Sequence, residues 1–129
     1  MNPPRLIIAD DSALMRQAVE LTVHGECDVV ASVPDGEAAI MAAAKLEPEV
    51  ILLDISMPGI NGFEAGRQIK RASPGTRIIF VSEHEQKSYV EAGFNAGASG
   101  YVFKNKMASE LVPAIRSVLG GKEYGRLRA

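Results

Sequence analysis

Five short, continuous runs of apolar residues recur along the chain, at residues 6–9, 29–31, 50–53, 78–81 and 101–103. A run in which every position is apolar, rather than every second one, is typical of a strand that is buried on both faces. Between the runs, apolar residues recur every three or four positions, as on one face of a helix. This alternation predicts an α/β protein with five strands and five helices.

The same pattern indicates helix faces and helix starts. Apolar stripes at helical spacing are Leu14, Ala18 and Leu21 in the first helix, Ala39, Ile40, Ala43 and Ala44 in the second, and Leu111, Ile115, Val118 and Leu119 in the last. Such a stripe ordinarily faces the core. Ser12 and Asp35 are placed to cap two helices, and Asn61 with Glu64 gives the capping-box pattern of the third. Right-handed crossovers then predict a parallel sheet with helices on both faces.

The composition fits one globular domain and narrows the possible functions. The chain has 129 residues, of which 47% are hydrophobic, which is enough for a substantial core. The net charge of −2 argues against nucleic-acid binding by bulk electrostatics. No stretch is apolar for long enough to span a membrane, and no signal-peptide pattern is visible. The single cysteine, Cys27, cannot form an internal disulfide. These features predict a cytoplasmic protein without a membrane partner.

Candidate site residues follow directly on four of the five apolar runs. Asp10 and Asp11 follow the first run, Asp54 the third, Ser82 the fourth and Lys104 the fifth. The carboxyl ends of parallel strands meet at one edge of a sheet, and ligands bind there near a topological switch point. We therefore expect these five side chains to lie in one site.

The residue types in this site indicate phosphoryl chemistry. Clustered carboxylates repel one another unless a hard cation neutralises them, and oxygen ligands without His or Cys favour Mg²⁺ over zinc. Asp54 can then act as a nucleophile toward a phosphoryl group. Lys104 and the cation would neutralise the oxygens of the transferring group, and Ser82 would donate a hydrogen bond to one of them. Helix capping explains any single aspartate more simply, but it does not explain the whole set.

These residues stand in motifs that resemble the receiver domains of two-component response regulators. The matching stretches are residues 7–12, 52–62, 80–82 and 96–104, which read IIADDS, LLDISMPGING, FVS and AGASGYVFK. The resemblance covers nearly the whole chain, and the second stretch is highly specific. It implies a (βα)₅ flavodoxin-like fold with a five-stranded parallel sheet in the order 2-1-3-4-5.

The resemblance also implies a role for each site residue. Asp54 would be the phosphoacceptor and Lys104 its phosphoryl partner. Asp10, Asp11 and Asp54 would bind Mg²⁺ together with the backbone carbonyl of Ser56.

A switch and a set of partners are implied as well. Ser82 and Tyr101 would be the switch residues, with Tyr101 turning inward as Ser82 moves toward the phosphoryl group. A sensor histidine kinase would supply that group, and phosphorylation would favour a homodimer. Such a chain is not an enzyme, but a phosphoacceptor that assists its own phosphotransfer and slow autodephosphorylation.

The details are most similar to the subgroup that carries a LuxR-type helix-turn-helix output domain. Residues 54–59, 97–101 and 111–116, which read DISMPG, GASGY and LVPAIR, are in its style. We expect a receiver domain at residues 1–121 and the start of a linker or tail at 122–129. A fragment that ends at the linker is favoured over a stand-alone receiver. Transcription would be controlled through a DNA-binding domain that is absent from this chain.

Three residues near the site need separate interpretation. Asn105 stands where the family usually has proline, which removes the reason to expect a cis peptide. Glu83 follows Ser82 directly, where the family generally has a small or apolar residue. Its carboxylate would repel a phosphodonor, extend the acidic site, or point to solvent. His84 is interpreted as an inert surface residue at a helix start.

Three alternative functions fit parts of the pattern. A pseudo-receiver or stand-alone protein-interaction module would explain Glu83, but it leaves the intact acidic, serine and lysine set unexplained. An aspartyl-phosphate phosphohydrolase would need a second aspartate two residues after Asp54, where this chain has Ser56. A flavin-binding module would need a loop rich in Ser and Thr after the first strand.

Overall fold

The computed structural model describes residues 2–126, which form a five-stranded parallel sheet with helices on both faces. The elements are β1 (Arg5–Ala9), α1 (Ala13–Val23), β2 (Asp28–Val33), α2 (Gly36–Leu46), β3 (Val50–Leu53), α3 (Gly62–Ala72), β4 (Arg77–Ser82), α4 (Lys87–Asn95), β5 (Gly100–Phe103) and α5 (Met107–Leu119). The strand order β2-β1-β3-β4-β5 confirms the expected fold. β1 and β3 are therefore neighbours at the topological switch point. No helix within these residues is both long enough and apolar enough to cross a membrane.

The central strands contribute to two cores, one on each face of the sheet. Successive side chains of a strand point to opposite faces. Ile7 and Phe80 accordingly pack in a cluster with α2, α3 and α4, whereas Leu6 and Leu52 pack in a second cluster with α1 and α5. All residues of β3 are buried, as its continuous apolar run predicted. β2 lies at the edge of the sheet and is only partly buried.

The first helix buries a different face from the one predicted by its apolar stripe. Leu14 and Leu21 are 77% and 79% exposed, so the expectation that this stripe faces the core is wrong. Val19 and Val23 are buried instead, in the cluster that α1 shares with α5. α1 has two apolar stripes, and periodicity alone does not decide which one meets the sheet.

The predicted caps begin the helices at the functional edge of the sheet. Ser12 Oγ accepts the backbone N–H of Met15, and Asn61 Oδ1 accepts that of Glu64. Asp35 caps α2 in the same way. Each cap satisfies a backbone donor that the helix leaves unpaired. In a parallel α/β sheet, these helix starts lie at the same edge as the carboxyl ends of the strands.

Candidate functional site

The ends of β1 and β3 bring three aspartates together. One carboxylate oxygen from each of Asp10, Asp11 and Asp54 lies within 4.8 Å of the other two. Asp10 and Asp54 are buried, whereas Asp11 is exposed. The cluster lines a cleft of about 270 Å³, together with Ser56 and Glu83. A donor set made only of carboxylate oxygens fits Mg²⁺.

Asp54 is positioned by backbone contacts at the end of β3. Its N–H donates to the carbonyl of Ala9 at 3.0 Å, and its Oδ1 accepts the N–H of Ile55 at 2.8 Å. A Cβ at Gly62 would overlap the Asp54 carbonyl, so the close approach of α3 to this backbone requires glycine. The loop from β3 to α3 therefore places the Asp54 carboxylate in the cleft.

The environment of Asp54 disfavours its negative charge. Burial raises the pKa of the Asp54 carboxyl, and the neighbouring Asp10 carboxylate raises it further. Lys104 and the Ile55 N–H oppose this rise without cancelling it. A buried carboxylate beside a second one is a place where added positive charge is stabilising.

Lys104 contacts the cluster from the end of β5. Its Nζ lies 2.9 Å from Asp10 Oδ2 and 3.3 Å from Asp54 Oδ2, and its side chain is 12% exposed. Burial alone would lower the pKa of Lys104. The hydrogen bond to Asp10 and the charges of both aspartates outweigh burial, so the pKa of Lys104 lies above its ordinary value. The ammonium therefore stays charged where a phosphoryl oxygen would need it.

Ser82 and Tyr101 meet at the backbone of His84. Ser82 Oγ accepts the His84 N–H at 3.0 Å, and the Tyr101 hydroxyl donates to the His84 carbonyl at 2.7 Å. Burial raises the pKa of the Tyr101 hydroxyl, which favours its role as a donor. Tyr101 is 2% exposed, so its ring is already buried in this structure and does not start from the exposed position that an inward turn requires. Its movement stays a prediction.

The segment between β4 and α4 supplies one side of the cleft. Glu83 is exposed and lines the cleft, but it is not among the three carboxylates that cluster there. His84 was expected to be an inert surface residue, and the structure shows it half-buried with two side-chain contacts. Its Nε2 lies 3.2 Å from Ser56 Oγ, and its ring stacks on Tyr89 with the centroids 4.2 Å apart. The sequence signal for this placement was that His84 lies only two residues after Ser82, a predicted site residue. The role of the Ser56 carbonyl as a metal ligand stays a prediction.

Comparison with known proteins places the chain in a family. The profile of the response regulator receiver domain matches residues 6–116. The chain belongs to this family.

The receiver has relatives that are about twice as long. It is 38% identical over 125 residues to the transcriptional regulatory protein DegU of Brevibacillus brevis, with 95% of this chain and 53% of that protein covered. It is 34% identical over 122 residues to the response regulator GacA of Pseudomonas viridiflava, with 93% and 57% covered. The chain thus spans about half the length of the curated relatives that it matches.

Solved structures are similar to the receiver over nearly its whole length. A LuxR-family two-component response regulator from an Aurantimonas species has a TM-score of 0.91 and 29% identity, with 97% of this chain and 91% of that chain covered. The isolated receiver domain of RcsB from Salmonella enterica serovar Typhimurium, in the presence of the phosphomimetic BeF₃⁻, has a TM-score of 0.87 and 26% identity, with 96% and 94% covered. The expected similarity to the LuxR-type subgroup is confirmed.

Proposed function

We propose that this receiver accepts a phosphoryl group on Asp54 from a sensor histidine kinase, in a transfer that depends on Mg²⁺. The observation that carries the proposal is the convergence of Asp10, Asp11 and Asp54 on one cleft, with Lys104 Nζ within 3.3 Å of Asp54. One lysine does not balance three aspartates, and a divalent cation would. The receiver family, whose members are generally phosphoacceptors, supports the same chemistry.

The positions of the site residues suggest how the transfer proceeds. A carboxylate oxygen of Asp54 attacks the phosphorus, the bond between phosphorus and the donor nitrogen breaks, and an aspartyl phosphate forms. Mg²⁺ bound by Asp10, Asp11, Asp54 and the Ser56 carbonyl would supply positive charge to the phosphoryl oxygens. Lys104 supplies a second positive charge, because its Nζ is already beside the Asp54 carboxylate. The domain would thus assist its own phosphorylation and hydrolyse the product slowly, without turning over a separate substrate.

Ser82 and Tyr101 are the residues that we expect to transmit the change. A new phosphoryl group on Asp54 attracts the Ser82 hydroxyl, because a hydrogen bond to an anionic oxygen is stronger than one to a neutral partner. Ser82 would then leave the His84 N–H, while Tyr101 is bonded to the carbonyl of the same residue. The segment that precedes α4 would shift, and the surface formed by α4, β5 and α5 would change.

The exposed apolar stripe on α1 supports the proposal that the phosphodonor is a protein. Leu14 and Leu21 lie on one helical face and are mostly exposed, and α1 begins directly after Asp11 and Ser12. An apolar surface next to a reactive cleft suits a partner that must present its own reactive group there. A histidine kinase that buries this stripe would place its phosphohistidine near Asp54.

Control of transcription is the proposed output. DegU is named a transcriptional regulatory protein, and RcsB dimers have been solved bound to DNA. In this chain, DNA binding would need a separate output domain. Homodimerisation on phosphorylation would then couple phosphorylation of the receiver to DNA binding by that domain. We propose that the receiver occupies residues 1–121 in the cytoplasm and that residues 122–129 begin a linker or tail. Of these, residues 127–129 lie outside the described part of the chain.

Mass spectrometry after incubation with acetyl phosphate and Mg²⁺ tests the proposal. The parent and the Asp28→Asn variant, in which an exposed aspartate of β2 is neutralised, should each gain one phosphoryl group. The Asp54→Asn variant, and the parent in EDTA, should gain none. Retention of the phosphoryl group by Asp54→Asn would contradict the site assignment. A parent that gains none would favour the pseudo-receiver over the phosphoacceptor.

A further inference from the structure

The chain continues past α5 onto the open edge of the sheet. Tyr124 forms a parallel bridge with Gly100 of β5. The Tyr101 N–H donates to the Tyr124 carbonyl at 2.9 Å, and the Tyr124 N–H donates to the Ser99 carbonyl at 3.0 Å. Residues 123–126, here called the tail strand, therefore lie where a sixth parallel strand would follow α5. They pair with backbone groups that an edge strand otherwise leaves free.

The tail strand also contacts both helices that flank β5. The ring of Tyr124 packs against the cluster that contains α5, and burial followed by the nearby Glu110 carboxylate raises the pKa of its hydroxyl. On the other side, the guanidinium of Arg126 lies 4.5 Å from the ring centroid of Phe94 in α4. Cation–π contacts of this kind are favourable. The tail strand thus depends on the relative positions of α4, β5 and α5.

Docking of the tail strand depends on one glycine. Gly125 has φ of +85°, a conformation that side chains rarely adopt. A Cβ at Gly125 would also overlap the carbonyl of Tyr101. Any larger residue would force the tail strand away from β5.

The same part of β5 is connected to the switch residues. Tyr101 gives its N–H to the tail strand and its hydroxyl to the His84 carbonyl. Ser82 accepts the His84 N–H, and α4 begins shortly after this segment. If Ser82 leaves His84 for a phosphoryl oxygen, α4 loses one of the contacts that position it against β5. A shift of α4 relative to β5 would then weaken the contact between Arg126 and Phe94, and the backbone hydrogen bonds of Tyr124 would be left to hold the tail strand on β5.

We propose that residues 123–126 form a detachable sixth strand, docked on β5 in the unphosphorylated receiver and released when the site is phosphorylated. This inference rests on the proposed function, because it uses the same phosphoryl-driven movement of Ser82. Release would expose the backbone edge of β5 and free the segment that leads out of the domain. Linkage then requires that weaker docking of the tail strand strengthens binding at the phosphoryl site.

Two measurements test this proposal on the full chain, with beryllofluoride and Mg²⁺ as the phosphoryl mimic. Amide exchange of Tyr101 and Tyr124, whose N–H groups report docking directly, should become faster when beryllofluoride is added. The Gly125→Ala variant should bind beryllofluoride at least about fivefold more tightly than the parent, which is the lower end of typical coupling between sites. The Gly25→Ala variant is the matched control, since Gly25 has φ of +82° with open space around it and lies in the turn between α1 and β2.

The outcomes separate this inference from the proposed function. A parent that does not bind beryllofluoride, or an Asp54→Asn variant that still binds it, overturns the proposed function and the inference with it. A parent that binds beryllofluoride while exchange at Tyr101 and Tyr124 is unchanged or slower overturns the inference alone. Equal affinity of Gly125→Ala and Gly25→Ala for beryllofluoride would also overturn the inference alone. Arg126→Ala, which removes the contact with Phe94 and the exposed ion pair with Glu123 within the tail strand, provides a second variant if Gly125→Ala folds poorly, and it should also bind more tightly.

Discussion

At the scale of single residues, the cleft is a balance of buried charges. Asp54 and Asp10 are both buried, and Lys104 pairs with both of them. Burial still raises the pKa of Asp54, so one lysine leaves its carboxylate in an unfavourable place when no cation is bound. The acidic cluster should therefore reduce the stability of the fold when no cation is bound.

We expect Asp54→Asn to stabilise the fold in EDTA at pH 8. The pKa of Asp54 is raised in the folded state, so the folded chain gains stability as pH falls through that pKa and loses it as pH rises. The always-neutral variant should exceed the parent by on the order of 1 kcal/mol at pH 8. Its advantage should shrink toward pH 4, because the Asp54 carboxyl of the folded parent becomes protonated as pH falls.

Urea unfolding at several pH values measures this difference. Added Mg²⁺ should raise the stability of the parent more than that of Asp54→Asn, because only the parent keeps the full acidic cluster. A parent that is the more stable protein at pH 8 in EDTA would contradict the account of Asp54.

Glu83 should slow phosphorylation by small anionic donors. Its carboxylate lines the cleft that a donor such as acetyl phosphate must enter. Two unit charges about 8 Å apart in water interact by roughly 0.5 kcal/mol, which is about a twofold effect on rate for each donor charge. Glu83→Ala should thus phosphorylate about twofold to fivefold faster at low salt, and the gain should fall as salt screens the charges.

Glu20→Ala provides the charge-matched control for this comparison. Glu20 is exposed on α1 and does not line the cleft. If Glu20→Ala accelerates the reaction as much as Glu83→Ala does, net charge rather than position is responsible. Phosphorylation kinetics at two salt concentrations are sufficient to decide.

At the scale of elements, α1 shows two apolar faces with different uses. Val19 and Val23 pack in the core with α5, whereas Leu14 and Leu21 face away from it. The buried face therefore stabilises the domain, and the exposed face is available to a partner.

Truncation on the two faces should separate stability from partner binding. Val23→Ala should lower the free energy of unfolding by about 1–3 kcal/mol, because it opens a cavity in the core. Leu21→Ala should change it by less than about 0.5 kcal/mol, as surface substitutions usually do. Chemical denaturation of the two variants gives the comparison directly. A larger cost for Leu21→Ala would mean that its stripe is covered within the domain.

At the scale of the whole molecule, the site and the output surface are on adjoining parts of one sheet. Lys104 follows β5 directly, and Tyr101 within β5 is bonded to the segment before α4. A change in structure at the carboxyl ends of β4 and β5 can therefore directly alter the neighbouring surface formed by α4, β5 and α5. The same surface would have to change for phosphorylation to alter self-association.

We expect beryllofluoride with Mg²⁺ to shift the chain from monomer toward dimer. The reason is that the mimic stabilises the altered surface, and a second copy that binds this surface adds to the shift. Sedimentation velocity at several protein concentrations measures it, and Asp54→Asn should stay monomeric under the same conditions. An unchanged distribution in the parent, with beryllofluoride bound, would show a phosphoacceptor that does not dimerise through this switch.

The sequence by itself determined the five strands and the edge of the sheet at which the site forms. The continuous runs of β3 and β4 required burial on both faces, and this requirement is local to each run. Asp10, Asp54 and Lys104 directly follow three strands, and parallel strands bring their carboxyl ends to one edge. The caps at Ser12 and Asn61 were equally local, because each bond spans three residues.

Only the tertiary structure decided which contacts these residues make across the chain. It placed Val23 rather than Leu21 in the core, bonded Tyr101 to the His84 carbonyl, and set the tail strand on β5. The contacts of Tyr101 and of the tail strand are made between segments that are distant in sequence. The burial of Val23 rather than Leu21 depends on which of two similar apolar faces of α1 packs against the core. Periodicity and motif spacing describe one segment at a time, whereas such contacts depend on how all the elements pack together.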